Sequence, residues 1–363
     1  MGLHIAFLDS WWHGAAKGSG TAVAIDGLAR GLTSLGHRVS YLSVDQHNGN
    51  GRGQLVGRLL YNLTIPRQIE RGRYDLVVGF DWDGFLYRPT STLPYVVGLK
   101  GILADELRHE SGPTRWLMWL QSKLEAINTQ HAHTVLTTSR YSRRVGIAAY
   151  GLDAKKVATV PEGIDAKSGL VDMSDDPPTI LSVARQYRRK NTTTLLDAMA
   201  RLTLHLPQAQ LRVVGDGPEL PRLKIQCEQL GLNDHVTFLG AVDDATVQRQ
   251  YQMASLFCLP SRQEGFGIAF LEAMAAGLPV VAANTAATPE VVRHGQTGLL
   301  VSADDPDALA DALLHLLRNH SRRVAMGRAG RAAMVHYHWP HVARRFLAAT
   351  GMGDNNDHGQ PTR

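Results

Sequence analysis

Residues Ser261–Asn284 read SRQEGFGIAFLEAMAAGLPVVAAN. Two glutamates, Glu264 and Glu272, flank a Gly-Phe-Gly turn, and the chain then takes a helical pattern, with Ile268, Leu271, Ala275 and Leu278 as its apolar stripe. Gly277 and Pro279 stop that helix, and VVAA reads as a short buried strand. SLFCLP, just before the stretch, is another buried strand. Strand, loop, helix and strand in this order put the loop at the carboxyl edge of a parallel sheet, where ligands bind in doubly wound folds.

The loop has its own chemistry. A helix opening near Gly267 offers unpaired N–H groups and a partial positive end, which suit a phosphate or a sugar oxygen. Gly265 and Gly267 carry no side chains, so the backbone can approach a ligand closely. Carboxylates do not bind phosphate, but they accept hydrogen bonds from sugar hydroxyls. A phosphate site beside two carboxylates points to a nucleotide sugar. The plainer reading of Glu272, in its apolar run, is a buried carboxylate paired with a basic group.

A chain of 363 residues exceeds what one core usually holds, so two domains are expected. With 44% hydrophobic and 20% charged residues, the composition is that of a soluble globular protein. Cys227 and Cys258 are too few for a disulfide framework or a zinc site and favour a reducing, cytoplasmic setting. The first residues read as a strand and lack a signal-peptide pattern, and no apolar run reaches the roughly 20 residues that span a bilayer. Residues 1–170 hold 19 Lys and Arg against 14 Asp and Glu, a net of +5, whereas the remainder holds 19 of each. A basic first half can serve as a solvated surface or as a peripheral contact with the anionic inner face of a membrane.

From the start, LHIAFLD, VSYLSV, YDLVVGF, LPYVVGL, HTVLTTS and KVATVPEGID read as strands separated by helical or loop segments. The helix after the first strand should bury Val23, Ile25, Leu28, Ala29, Leu32 and Leu35. RWLMWLQSKLEAINTQHA is amphipathic, and its Trp116, Leu117, Trp119 and Leu120 read as core rather than as a membrane anchor. AKSGLVDMSDDPP, residues 166–178, is a linker. A second strand–helix series then runs through TILSVAR, QLRVVGD, HVTFLG and the opening stretch. The expected organisation is α/β, with two Rossmann-like doubly wound domains, 1–165 and 179–337, a closing helix over 338–350, and a disordered tail over 351–363.

In the second domain four loops follow strand ends and so converge on one edge. They carry Arg185 to Lys190, Gly215 and Gly217, Gly240, and Glu264 to Gly267. Arg185 and Lys190 suit a diphosphate, one as a planar fork and the other as a mobile point charge. In the first domain Gly18, Ser19, Gly20 and Thr21 open a helix. They fail the dinucleotide fingerprint for want of a third glycine and a tight turn, and fit a phosphate or acceptor loop. Lys100, Asp105 and Glu106 lie just past a strand end, on the ligand side.

SVARQYRRKN, VVGDGP, VTFLG and above all LPSRQEGFGIAFLEAMAAGLPVVAAN resemble the retaining family-four glycosyltransferases of the GT-B fold, with Glu264 and Glu272 as their E-x7-E pair. TTSRYSRR, VPEGID and ATPEVVRHGQTGLLV extend the resemblance over residues 3 to 347. It implies two domains facing a central cleft, with a nucleoside diphosphate sugar, UDP- or GDP-linked, held by the second domain and the acceptor by the first. Glu272 would take the ribose hydroxyls, with Glu264 near the donor sugar. Backbone N–H groups at Phe266, Gly267 and Ile268 would hold sugar and phosphate, while Arg185 and Lys190 neutralise the diphosphate. Transfer would proceed on one face, with no cofactor and no metal. Asp81 and Asp83 form a D-W-D, but in the acceptor domain.

The sequence departs from the family at Lys100, where many relatives carry a histidine that faces the donor sugar. Either Lys100 acts on an anionic group or His109 serves instead. An epimerase or hydrolase on the same fold, or a sugar-nucleotide binding protein without catalysis, is the competing reading. The first would need extra acid–base groups, and the second is at odds with intact Glu264, Glu272, Arg185 and Lys190.

Overall fold

The computed structural model describes residues 2–10, 20–43, 52–165 and 177–353. The chain divides into two compact units: Met1–Leu107, Pro113–Gly163 and Tyr337–Arg363 form the first, Arg108–Gly112 and Ile164–His336 the second. Residues 166–176 and 354–363, within the expected linker and tail, lie outside the described residues, as do Gly18 and Ser19.

Unit 1 runs β1 (His4–Leu8), α1 (Gly20–Ser34), β2 (Arg38–Leu42), α2 (Arg52–Arg71), β3 (Leu76–Phe80), β4 (Tyr95–Leu99), α3 (Leu103–Glu106), α4 (Gly112–His131), β5 (Thr134–Thr137), α5 (Arg140–Tyr150) and β6 (Val157–Thr159). Its sheet is parallel, in the order β2-β1-β3-β4-β5-β6. β3 and β4 are buried at every position, as continuous apolar strands covered on both faces should be.

Two helices correct the sequence reading. On α1, Ile25, Leu28, Ala29 and Leu32 are buried as expected, but Val23 is 49% exposed, because Ala24, Gly27 and Gly31 turn inward in its place. Trp116 and Trp119 on α4 are 63% and 48% exposed, and the fully buried positions of that helix are Ser122, Glu125, Asn128 and Thr129. α4 is thus inverted relative to a simple amphipathic helix. Its inner polar groups hold loops: Asn128 Nδ2 donates to the carbonyls of Asp81 and Asp83 at 2.9 and 3.0 Å, and Glu125 Oε2 accepts from the Leu103 N–H at 3.1 Å.

Unit 2 runs β7 (Thr179–Val183), α6 (Thr192–His205), β8 (Gln210–Val214), α7 (Leu220–Gln229), β9 (Val236–Gly240), α8 (Asp244–Gln252), β10 (Leu256–Leu259), α9 (Ile268–Ala275), β11 (Val280–Ala283), α10 (Thr288–Val291), β12 (Gly298–Val301), α11 (Pro306–Arg318) and α12 (His320–Ala333). Its parallel sheet has the order β12-β11-β10-β7-β8-β9. Asp305 caps α11 by accepting from Ala308 N at 2.9 Å. α9 ends where Gly277, at φ 83°, returns its N–H to the Met274 carbonyl and Leu278 returns its own to Ala273.

The closing helix α13 (Trp339–Ala349) belongs to unit 1. The Trp339 ring rests where Gly27 and Gly163 have no Cβ, and Gly31 faces the backbone at Trp339 and the Ala343 methyl. A side chain at either of the first two glycines would collide with the ring.

Candidate functional site

In unit 2 the strand order reverses between β7 and β10, which are neighbours in the sheet. The loops leaving them at their carboxyl ends therefore emerge side by side, at the switch point of a doubly wound sheet. The β7 loop ends in a single turn, Arg188–Lys190, and Asn191 follows in the left-handed region at φ 59°. Asn191 Nδ2 anchors this bend to the Ala303 carbonyl at 2.6 Å. The Arg262 N–H donates to the Arg189 carbonyl at 2.8 Å and ties the two loops together.

At this junction Lys190 Nζ meets Glu264 Oε1 at 2.6 Å, and Ser261 Oγ donates to the same oxygen at 2.8 Å. Glu264 is only 5% exposed. Burial pushes its carboxyl upward, but Lys190 and then Arg189, with the two hydrogen bonds, outweigh that and hold it below the usual range. The group is an ionised carboxylate in a dry setting. Arg185 and Arg189 lie over the Tyr187 ring at 5.7 and 6.0 Å, gathering further positive charge at the same edge.

Beyond Glu264 the chain turns through buried Gly265 and Phe266 to Gly267, at φ 95°, where a Cβ would meet the Phe270 ring. α9 starts at half-buried Ile268, and no side chain caps it. Glu272 lies inside that helix and accepts a hydrogen bond from Tyr251 Oη of α8 at 2.9 Å. Gly215 and Gly217 press against the backbone of Ala184 and Gln186, joining the β8 loop to the β7 loop. Gly240, at φ 64°, has open space where a side chain would stand. Unit 2 thus brings Arg185, Lys190, Gly215, Gly217, Gly240 and Glu264–Ile268 to one sheet edge.

Unit 1 treats its polar groups differently. Its order reverses at β1 and β3, and the β3 loop carries Asp81 and Asp83. Asp83 is fully buried: it accepts from the Ser10 N–H at 3.0 Å, from Asn62 Nδ2 at 3.2 Å and from Arg58 at 3.3 Å. Arg58 in turn stacks over Trp82 at 4.0 Å. Asp81, left-handed at φ 53°, accepts from the Lys100 N–H at 2.9 Å. Burial pushes its carboxyl up to about 6, ahead of the lowering by that hydrogen bond and by Arg58. The D-W-D carboxylates are structural ties. Among the described residues, no group of three or more His, Cys, Asp or Glu is arranged to hold a metal ion.

Lys100 Nζ donates to both oxygens of buried Glu162, at 3.0 and 3.1 Å. A small cavity of about 30 Å³ beside the pair is lined by Phe80, Thr137, Thr138 and Trp339. The anionic group on Lys100 is therefore one of the protein's own. Asp105 is buried and accepts from Tyr141 Oη at 2.7 Å, whereas Glu106 is half-buried. Gly20 and Thr21 begin α1. His109 ends a short turn after α3 and falls in unit 2. Sequence reasoning missed Glu162, Tyr251 and Ser261 as partners of the residues it singled out. VPEGID marked the neighbourhood of Glu162, but nothing in α8 marked Tyr251.

The sequence pattern of the group 1 glycosyl transferases matches residues 168–333, and that of glycosyltransferase family 4 matches residues 18–168. A GDP-mannose-dependent alpha-(1-6)-phosphatidylinositol monomannoside mannosyltransferase of Mycobacterium tuberculosis is 33% identical over 69% of this chain and 69% of its own. A phosphatidyl-myo-inositol mannosyltransferase of Mycobacterium leprae is 37% identical over 58% of this chain and 57% of its own. Among solved structures, a sucrose-phosphate synthase from Thermosynechococcus elongatus superposes with a TM-score of 0.80 at 22% identity, covering 95% of this chain and 98% of that one. The fold is that of the GT-B glycosyltransferases.

Proposed function

The chain belongs to the group 1, family 4 glycosyltransferases, and we propose that it is a retaining enzyme that moves a mannosyl group from GDP-mannose to an acceptor hydroxyl. Unit 2 is the donor side. Glu272 takes the ribose hydroxyls, Glu264 faces the sugar, and the start of α9 with Gly265–Ile268 receives sugar and phosphate oxygens. Lys190 and Arg185 stabilise the diphosphate as charge builds on it. The sugar C1–phosphate oxygen bond breaks, the acceptor oxygen bonds C1 on the same face, and its proton passes to the departing phosphate. Neutralisation by Lys190 and Arg185 leaves the reaction independent of a metal and of any cofactor. GDP-mannose is favoured over a UDP sugar by the mycobacterial relatives, whose names specify it or a mannosyl transfer.

The observation that carries this reading is the Lys190–Glu264 contact at the switch point. It keeps an ionised carboxylate and a cation together just before the turn that opens α9. The test is transfer from GDP-mannose to phosphatidylinositol-type lipid, with the product's anomeric configuration read by NMR and EDTA in a parallel arm. The expected product is the α-mannoside, formed at an undiminished rate in EDTA. A β-mannoside rules out retention, loss in EDTA restored by manganese rules out metal independence, and mannose released equally fast without acceptor makes the protein a hydrolase.

The acceptor side is unit 1, and the acceptor is proposed to lie in an anionic membrane facing the cytoplasm. Among the described residues no helix is long and apolar enough to cross a membrane. However, α4 exposes Trp116, Trp119 and Ile127 along one stripe with Arg115 and Lys123, and α2 exposes Val56, Leu60 and Leu63 with Arg67 and Arg71. Tryptophan and leucine beside basic side chains suit the headgroup region of anionic lipid. Replacing Trp116 and Trp119 together by Ala should cut sedimentation with phosphatidylglycerol vesicles several-fold. Unchanged sedimentation would remove α4 from that contact.

A further inference from the structure

Tyr251 is the side chain that ties α8 to the glutamate proposed to bind ribose. It is 1% exposed, its Oη donates to Glu272 Oε2 at 2.9 Å, and its ring stacks on Phe257 of β10 with centroids 6.0 Å apart and planes 27° apart. Phe257 meets Phe270 edge to face at 6.2 Å, and Phe270 fills the space left by Gly267. One aromatic ladder therefore runs from the turn that opens α9 to the hydroxyl that grips the carboxylate inside it.

A glutamate side chain has three rotatable bonds, and a half-buried one reaching toward a ligand samples several rotamers unless a partner fixes it. A tyrosine hydroxyl held by a buried, stacked ring is a fixed donor. It engages one carboxylate oxygen and so sets the plane in which the other lies. A carboxylate in a fixed plane suits a vicinal diol, whose two hydroxyls it can accept from, better than a single hydroxyl. Burial and then Glu272 push the Tyr251 hydroxyl well above its ordinary value, so it remains a donor throughout the working pH range.

We infer that Tyr251 is a positioning residue which orients Glu272 and thereby sets the preference of the site for ribonucleotides over their 2′,3′-dideoxy counterparts. This rests on the donor-site reading above. Tyr251 need not touch the nucleotide; it acts through Glu272.

The test is calorimetric binding to the full chain, with GDP and 2′,3′-dideoxy-GDP as probes. Wild type should prefer GDP by tenfold or more. Tyr251→Phe, which deletes one oxygen and keeps the ring, should weaken GDP three- to tenfold and leave dideoxy-GDP within twofold, so the preference shrinks. Glu272→Ala should abolish the preference, and adding Tyr251→Phe to it should change nothing further, because the pair acts as one unit. A general loosening of the core would weaken both nucleotides alike. An unchanged preference in Tyr251→Phe, with its loss in Glu272→Ala, overturns this inference and leaves the donor-site reading standing. An unchanged preference in Glu272→Ala overturns the donor-site reading itself. Should Tyr251→Phe fail to fold, Phe257→Leu keeps the hydroxyl but removes the ring it stacks on. The preference should then fall by a smaller factor, and an unaltered preference overturns the inference.

Discussion

Asp81 and Glu264 hold comparable places in the two units. Each follows a strand at the point where its sheet order reverses, and each is nearly buried, at 8% and 5% exposure. Their acidities are nonetheless driven in opposite directions, Asp81 up to about 6 and Glu264 below the usual range. Burial raises both, and at Glu264 the charges of Lys190 and then Arg189 overcome it, whereas at Asp81 burial prevails. Lys190 lays its ammonium 2.6 Å from Glu264, whereas Lys100 gives Asp81 its backbone N–H and sends its ammonium to Glu162, from where its charge lowers Asp81 only weakly. The same topology thus yields a charged edge in unit 2 and a knotted, loop-holding edge in unit 1. Position on the fold nominates a residue, and the nearest cation decides what it can do.

If that contrast is right, the two edges should fail differently. Asp83→Ala removes the buried carboxylate that Ser10, Asn62 and Arg58 converge on, and with it one half of a buried ion pair. The expected cost is about 3–5 kcal/mol of stability, read by denaturant unfolding, with activity falling only as the folded fraction falls. An unfolding midpoint close to wild type would mean that the unit 1 cluster is not what holds its loops. Lys190→Ala should act on the reaction instead. Loss of one preorganised charge at the leaving diphosphate is expected to lower the transfer rate by about 10²–10³, equivalent to ~2.7–4 kcal/mol of barrier. A rate within threefold of wild type would take Lys190 out of the chemistry.

The doubly wound architecture was legible because fully covered parallel strands read as unbroken apolar runs, as YVVGL and VVAA do. The convergence of Arg185, Lys190 and Glu264 followed from the same logic, since all stand just past such runs. What escaped was side-chain pairing across long separations. Lys100 and Glu162 are 62 residues apart and Tyr251 and Glu272 are 21 apart, on different elements, so no periodicity links them. α4 misled for another reason. Its tryptophans made one stripe look like core, yet the inner stripe is Ser122, Glu125, Asn128 and Thr129, recruited because loop carbonyls and N–H groups need partners. Hydrophobic pattern reports burial only where the buried surroundings are apolar.

The finest discrimination between the two edges is the sign of their pH response. Asp81 has its carboxyl raised in the folded state, so folding takes up a proton between about pH 4 and 6, and stability falls as pH rises through about 6. Asp81→Asn keeps an oxygen for the Lys100 N–H, and asparagine tolerates the left-handed backbone at φ 53°. It should therefore raise the melting temperature by a few degrees at pH 8 and leave it nearly unchanged at pH 4. Glu264 has the reverse linkage. Its contribution is fully present above the unfolded carboxyl value and is lost as pH falls below it. Glu264→Gln should thus lower the melting temperature at pH 8 and lose that penalty toward pH 3. Two conservative amide substitutions, each at a switch-point loop, are expected to shift stability in opposite directions at the same pH. Shifts of one sign would mean that burial alone governs both carboxylates, and that the ammonium of Lys190 does not separate the donor edge from its counterpart in unit 1.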